Sequence, residues 1–170
     1  METYTLEGET YYYKNGKWLD SSYLSVPFAM VSKLNKLLNT DAILNKDFKE
    51  VCAMIDKAKA DENYVLALNL ANKLANKSGS CDLQMLLPRI TSLYRAIGNP
   101  KKAIAVADEY IEKYDKEVFS PMLFTSVAAA YCDLEDYETA RIYADKAYSM
   151  GKTNNQENLM LVYSRIDAKK

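Results

Sequence analysis

The sequence predicts a mainly α protein, a solenoid of antiparallel helix pairs with a small N-terminal β-hairpin or meander. Three observations predict it. The alanine pairs Ala67/Ala71, Ala103/Ala107 and Ala140/Ala144 recur 36 and then 37 residues apart, each within a helical apolar pattern. Turn signals at Asp61-Glu62-Asn63, Gly98-Asn99-Pro100 and Glu135-Asp136 split each repeat into two helices. Residues 1–26 break the pattern with an aromatic run around Asn15-Gly16, the strongest short hairpin signal. A helix pair of this length cannot bury its apolar face alone, so neighbours stack and present a curved surface to other molecules.

In the hairpin, a two-residue turn at Asn15-Gly16 sets Tyr13 opposite Trp18 and Tyr12 opposite Leu19. Tyr4 to Glu7 and Tyr23 to Val26 are candidate flanking strands. An isolated hairpin is marginal in water, so its aromatic face is expected to pack on the helices. Residues 27–45 form a bridging helix and loop, the helix opening at Pro27 with Phe28, Val31, Leu34, Leu37 and Leu38 on its buried side.

Residues 46–154 hold the three helix pairs. Asn45 is placed to cap the first helix, which runs to Ala60 over Phe48, Val51, Cys52 and Ile55. Its partner spans Tyr64 to Lys77 over Ala67, Leu70, Ala71 and Leu74, and Ser78-Gly79-Ser80 closes the unit. The second unit runs from Asp82 to Tyr114, with Gly98, Asn99 and Pro100 supplying a C-terminal glycine, an N-cap and a first-turn proline. Pro88 either kinks the first helix of this unit or stands in its first turn. The third unit starts at Ser120-Pro121, turns at Glu135-Asp136 and stops at Gly151. Residues 155–170 supply a capping helix, Gln156 to Asp167, through Leu159, Leu161 or Val162, and Ile166.

Composition excludes several classes of function. The 22 basic and 23 acidic residues are evenly mixed along the chain, which argues against general nucleic-acid binding. The absence of histidine removes Ser-His-Asp triads and the commonest metal ligand. Cys52, Cys81 and Cys132 are odd in number and widely spaced, so neither a disulfide framework nor a zinc site is indicated, and a reducing compartment fits. With no apolar leader and no membrane-length run, the expected location is the cytoplasm. Lysine far outnumbers arginine, and Asn and Tyr are plentiful, the composition of an AT-rich, bacterial genome. No Gly-rich phosphate loop, G-x-S-x-G or H-E-x-x-H spacing occurs, so no enzyme and no cofactor is expected.

On these residues the chain resembles the tetratricopeptide-repeat family. The third unit carries Phe124, Val127, Ala128, Tyr131, Tyr137, Ala140 and Ala147 at signature positions. The second carries Leu87, Ile90, Thr91, Tyr94, Gly98, Ala103 and Ala107, and the first Val51, Met54, Ala58, Tyr64, Ala67 and Ala71. The resemblance covers residues 48–154, with a longer period than the family's and Ile55 where the first unit would carry a small residue. It implies a right-handed superhelix whose first helices line a concave groove. The groove residues so implied are Lys49, Cys52, Asp56 and Lys59, then Met85, Arg89, Ser92 and Arg95, then Met122, Thr125, Ser126, Ala129 and Cys132. Arg89 and Arg95 are the sharpest candidates for a carboxylate or phosphate.

The leading expectation is a non-enzymatic scaffold or adaptor that binds a peptide or protein partner in the groove, without membrane or nucleic-acid contact. Tyr11, Tyr13 and Trp18 either form a second contact or serve as the hairpin's own packing face. The competing expectations are a homo-oligomer assembled through the aromatic hairpin and a peptide-sensing regulator.

Overall fold

The computed structural model of the chain describes residues 1–14, 16–38, 40–151 and 156–169, with Asp41 described by its backbone alone. It is mainly helical with a small antiparallel sheet, and divides into two compact units, Met1–Asn76 and Lys77–Lys170. Among the described residues no helix is long and apolar enough to cross a membrane.

In the first unit, β1 (Glu2–Leu6), β2 (Glu9–Lys14) and β3 (Lys17–Leu19) pair in that order. Tyr13 faces Trp18 and Tyr12 faces Leu19, the register expected. Asn15 lies outside the described residues, while Gly16 adopts a φ of +85° that other residues avoid. A Cβ on Gly16 would stand 3.3 Å from Lys57 Cγ and 3.6 Å from the Ala58 backbone nitrogen, because this turn lies against α3 (Phe48–Ala60). Glu7 falls in the β1–β2 turn rather than in a strand. The segment from Tyr23 to Val26 joins the sheet through an isolated bridge between Leu19 and Ser25, a bond from the Val26 N–H to the Trp18 carbonyl and the Tyr23 ring stacked on Tyr12 at 5.0 Å, without forming a strand.

Helix α1 (Phe28–Asn35) corrects the expected apolar stripe. Leu34 and Leu38 are buried, but Phe28 is 69% exposed and Leu37 38%. Helical side chains lean toward the N-terminus, so Phe28 overhangs the helix start, and Leu37 stands beyond its last turn. The helix buries Asn35 instead, whose Oδ1 accepts the Trp18 indole N–H at 2.8 Å. Asn35 Nδ2 donates at 2.9 Å to Asn63 Oδ1, the oxygen that caps α4 (Tyr64–Ala75) by accepting the Leu66 N–H. Sheet, α1 and the α3–α4 turn thus meet at one buried amide pair.

The unforeseen short helix α2 (Thr40–Leu44) explains why Asn45 does not cap α3. The Lys46 N–H still bonds back to Ile43, so Asn45 belongs to the turn that ends α2, and Asp47 caps α3 by accepting the Lys49 N–H. A carboxylate at that point also meets the positive end of the helix dipole. Val51, Cys52, Ile55 and Ala58 of α3 are buried, as are Ala67, Leu70 and Ala71 of α4.

The second unit contains α5 (Ser80–Ala96), α6 (Pro100–Tyr114), a 3-10 turn (Asp115–Val118), α7 (Pro121–Asp133), α8 (Tyr137–Ser149) and α9 (Gln156–Asp167). Asn99, Ser120 and Asp136 cap α6, α7 and α8 by accepting the N–H groups of Lys102, Leu123 and Thr139. The helix pairs α5/α6 and α7/α8 close on alanine: Ala103, Ala107, Ala140, Ala144 and Ala147 have no exposed surface. Alanines four apart let two helix backbones approach, while Val106 and the half-buried Tyr143 fill the flanks. Leu159, Val162 and Ile166 of α9 cover this core and Leu161 faces solvent, which resolves the two alternatives for that position. Residues 152–155, at the expected join to α9, lie outside the described residues.

Pro88 is an interior residue of α5, fully within the helix and buried. A proline has no N–H for the carbonyl four residues earlier. That carbonyl, on Gln84, accepts the Ser120 hydroxyl at 3.4 Å, and the Pro88 carbonyl accepts the Thr91 and Ser126 hydroxyls at 3.0 and 3.4 Å. The gap in α5 is therefore met partly from α7.

Candidate functional site

The first helices of the second unit, α5 and α7, lie side by side, and α9 continues the row beyond α7. The bonds Ser120–Gln84 and Ser126–Pro88 fix the register of α5 against α7. This register sets Met122 level with Met85, and both are exposed, 42% and 44%. Around them stand the half-buried Arg89, Ser92 and Ser126. Arg89 Nη1 donates to the Met85 carbonyl of its own helix at 2.8 Å, which holds the guanidinium beside the methionines. Methionine is flexible and polarizable, so such a pair adapts to varied apolar side chains. Met85, Arg89, Ser92, Met122 and Ser126 together form one mixed apolar and polar surface.

Other groove residues implied by the resemblance fall elsewhere. Thr125 is 4% exposed and its hydroxyl bonds the Pro121 carbonyl at 2.7 Å, so it belongs to the α7 interior. Ala129, Cys132 and Cys52 are buried as well. Thr125 and Ala129 sit one turn apart on α7, on the side that meets its neighbours. Asp56 is exposed and Lys59 half-buried on α3, in the first unit. Lys49 is exposed on the same helix.

Arg95 is committed to an ion pair. Its Nε donates to Asp133 Oδ2 at 2.6 Å and its Nη2 to Oδ1 at 3.3 Å, while Arg165 Nη2 reaches the same Oδ1 at 2.8 Å. Burial alone would raise the Asp133 carboxyl, but the bonds and charges of Arg95 and Arg165 outweigh it and hold the group below the usual carboxylate range. The three residues stand in the last turns of α5, α7 and α9, where helix carbonyls carry partial negative charge. Two guanidinium groups there offset Asp133 and those helix ends, so the cluster clamps three helices. Arg95 therefore already holds a carboxylate of its own chain. Sequence reasoning missed Asp133 and Arg165. Repeat position carried no signal for the pair, because the offset that levels Met122 with Met85 matches Arg95 to Cys132 rather than to Asp133.

The aromatic cluster of the hairpin is its packing face. Tyr11, Tyr13 and Trp18 are 8%, 5% and 2% exposed, and Trp18 meets Tyr4 edge-on at 5.1 Å. These three side chains are therefore not a second contact surface. Burial, with the charge of Glu2 added, drives the Tyr13 hydroxyl well above the usual tyrosine range.

Compared with known proteins, the chain matches no family model and no curated sequence.

Proposed function

We propose that the chain is a tetratricopeptide-like repeat scaffold that binds a peptide or protein segment on the face formed by α5, α7 and α9. It acts without catalysis, in the cytoplasm, as an adaptor. The observation that carries this reading is the combination of two helix pairs closed on fully buried alanines with an exposed Met85/Met122 pair on their adjacent first helices. The alanine seams turn toward the second helix of each pair, and these methionines stand outward on the first helices, flanked by Arg89, Ser92 and Ser126. A segment with an apolar anchor and a nearby acidic group suits that surface.

Selection of binders from a random peptide library tests this. Peptides so obtained should carry an apolar residue near Asp or Glu, and should bind Met85→Glu/Met122→Glu at least tenfold more weakly than the natural chain. Because both positions are solvent-exposed, the variant should keep its melting temperature. Equal affinity for the variant would refute the assignment of the face. Arg95→Glu is unsuitable as a probe, because it sets a second carboxylate against Asp133.

A further inference from the structure

We propose that β1 pairs with β1 of a second copy of this chain, antiparallel about Tyr4, joining the two sheets into one. The inference rests on the hairpin alone and is independent of the helical face. The β1–β2 turn consists of Glu7 and Gly8, at φ of 54° and 86°, closed by the pair Leu6 and Glu9. In a turn of this kind the closing pair is hydrogen-bonded and pairs alternate along the ladder. Glu2, Tyr4 and Leu6 therefore direct their backbone groups to β2, and Thr3 and Thr5 direct theirs outward.

The two edges of the sheet are treated differently. Along β3, the Val26 N–H bonds the Trp18 carbonyl at 3.4 Å and Ser25 bridges Leu19, so that edge is covered. Along β1, no backbone bond to Thr3 or Thr5 is present among the described residues, and both residues are exposed. Natural edge strands are blunted by lysine, proline or a bulge. From Thr3 to Leu6 β1 has none of these and no charged side chain, its register with β2 being continuous from Glu2 to Leu6.

What identifies the occupant is the strand's own symmetry. Thr3-Tyr4-Thr5 reads the same in both directions, so an antiparallel copy centred on Tyr4 sets Thr3 opposite Thr5 of the second copy, and Thr5 opposite Thr3. Every outward N–H and C=O of these residues then has a partner, and cross-strand threonine pairs are favourable. Glu2 falls opposite Leu6 of the second copy, so no like charges meet. Tyr4 stays against Trp18 in its own unit. A strand pair this short buries less than about 1,000 Å², the size of a reversible rather than a permanent contact.

Sedimentation equilibrium of the full chain, from low micromolar to near-millimolar concentration, tests the proposal. The natural chain should pass from monomer to dimer. Thr3→Lys/Thr5→Lys faces lysine with lysine, and Thr3→Glu/Thr5→Glu faces glutamate with glutamate, so each alone should remain monomeric. Their equimolar mixture should dimerise again, which a misfolded variant could not do. A natural chain that is monomeric throughout, a dimer that survives in the lysine variant, or a mixture that stays monomeric would overturn the proposal.

Discussion

Replacing Asn35 by alanine should cost more than almost any polar change in the chain. Asn35 is 8% exposed and joins β3, α1 and the cap of α4 through bonds of 2.8 Å to Trp18 and 2.9 Å to Asn63. The change deletes these two bonds and the longer one, 3.4 Å, from Asn63 Nδ2 to Asn35 Oδ1, and strands the indole N–H of a tryptophan that is itself 2% exposed. Removing one partner of a buried bond costs ~1–3 kcal/mol. Two such losses, moderated by water entering the space vacated by the amide, come to about 3 kcal/mol, a large share of the ~5–15 kcal/mol that holds a domain together. Trp18 is the only tryptophan, so its fluorescence reports on this unit directly. In urea, with a slope of about 1.5 kcal/mol per molar, the midpoint should fall by about 2 M. A fall worth less than about 0.5 kcal/mol, the level of an ordinary surface substitution, would refute the reasoning.

The Tyr13 hydroxyl is buried without a hydrogen-bond partner among the described residues, so Tyr13→Phe should be neutral or stabilising by about 1 kcal/mol in the same urea titration. Because burial disfavours the ionised Tyr13 hydroxyl in the folded state, stability falls as pH rises from the unfolded value near 10 toward the folded one, so Tyr13→Phe should also blunt alkaline unfolding. For Asp133 the sign is opposite. Its lowered carboxyl contributes stability above the unfolded value near 4 and loses it as pH falls through the folded one, and Asp133→Asn should flatten that limb of the acid melt. Ala103→Leu or Ala140→Leu should overpack a fully closed seam and cost ~1–3 kcal/mol by thermal melt. Of the three cysteines only Cys81 is exposed, and burial raises the Cys132 thiol, so a chromogenic disulfide reagent should titrate one thiol rapidly in the native protein.

Much of this fold could be read from local signals because its local signals agree. Asn99-Pro100, Ser120-Pro121 and Asp136 mark helix starts by their own chemistry, the alanine pairs mark the seams, and α9 runs from Gln156 to Asp167 as its periodicity requires. Other features depend on partners distant in the chain. Asn35 reads as an ordinary polar helix residue until Trp18 and Asn63 are brought to it. Pro88 reads as a breaker until Ser120 takes up the carbonyl it releases. Phe28 reads as core because periodicity carries no information about where a short helix overhangs. At the candidate face, position within the repeat located Met85, Arg89 and Met122, whereas it could not reveal that Arg95 is held by Asp133. The buried state of Thr125 was equally hidden, since a hydroxyl bonded to its own helix leaves no trace in the apolar pattern.

The most direct test of a binding face on α5, α7 and α9 is photo-crosslinking inside living cells, with p-benzoylphenylalanine in place of Met122 or, separately, of Ile142. Met122 is on the proposed face, and Ile142 is an exposed residue of α8. The account predicts a discrete adduct with another protein from position 122 and none from position 142. Adducts from position 142 alone would contradict it.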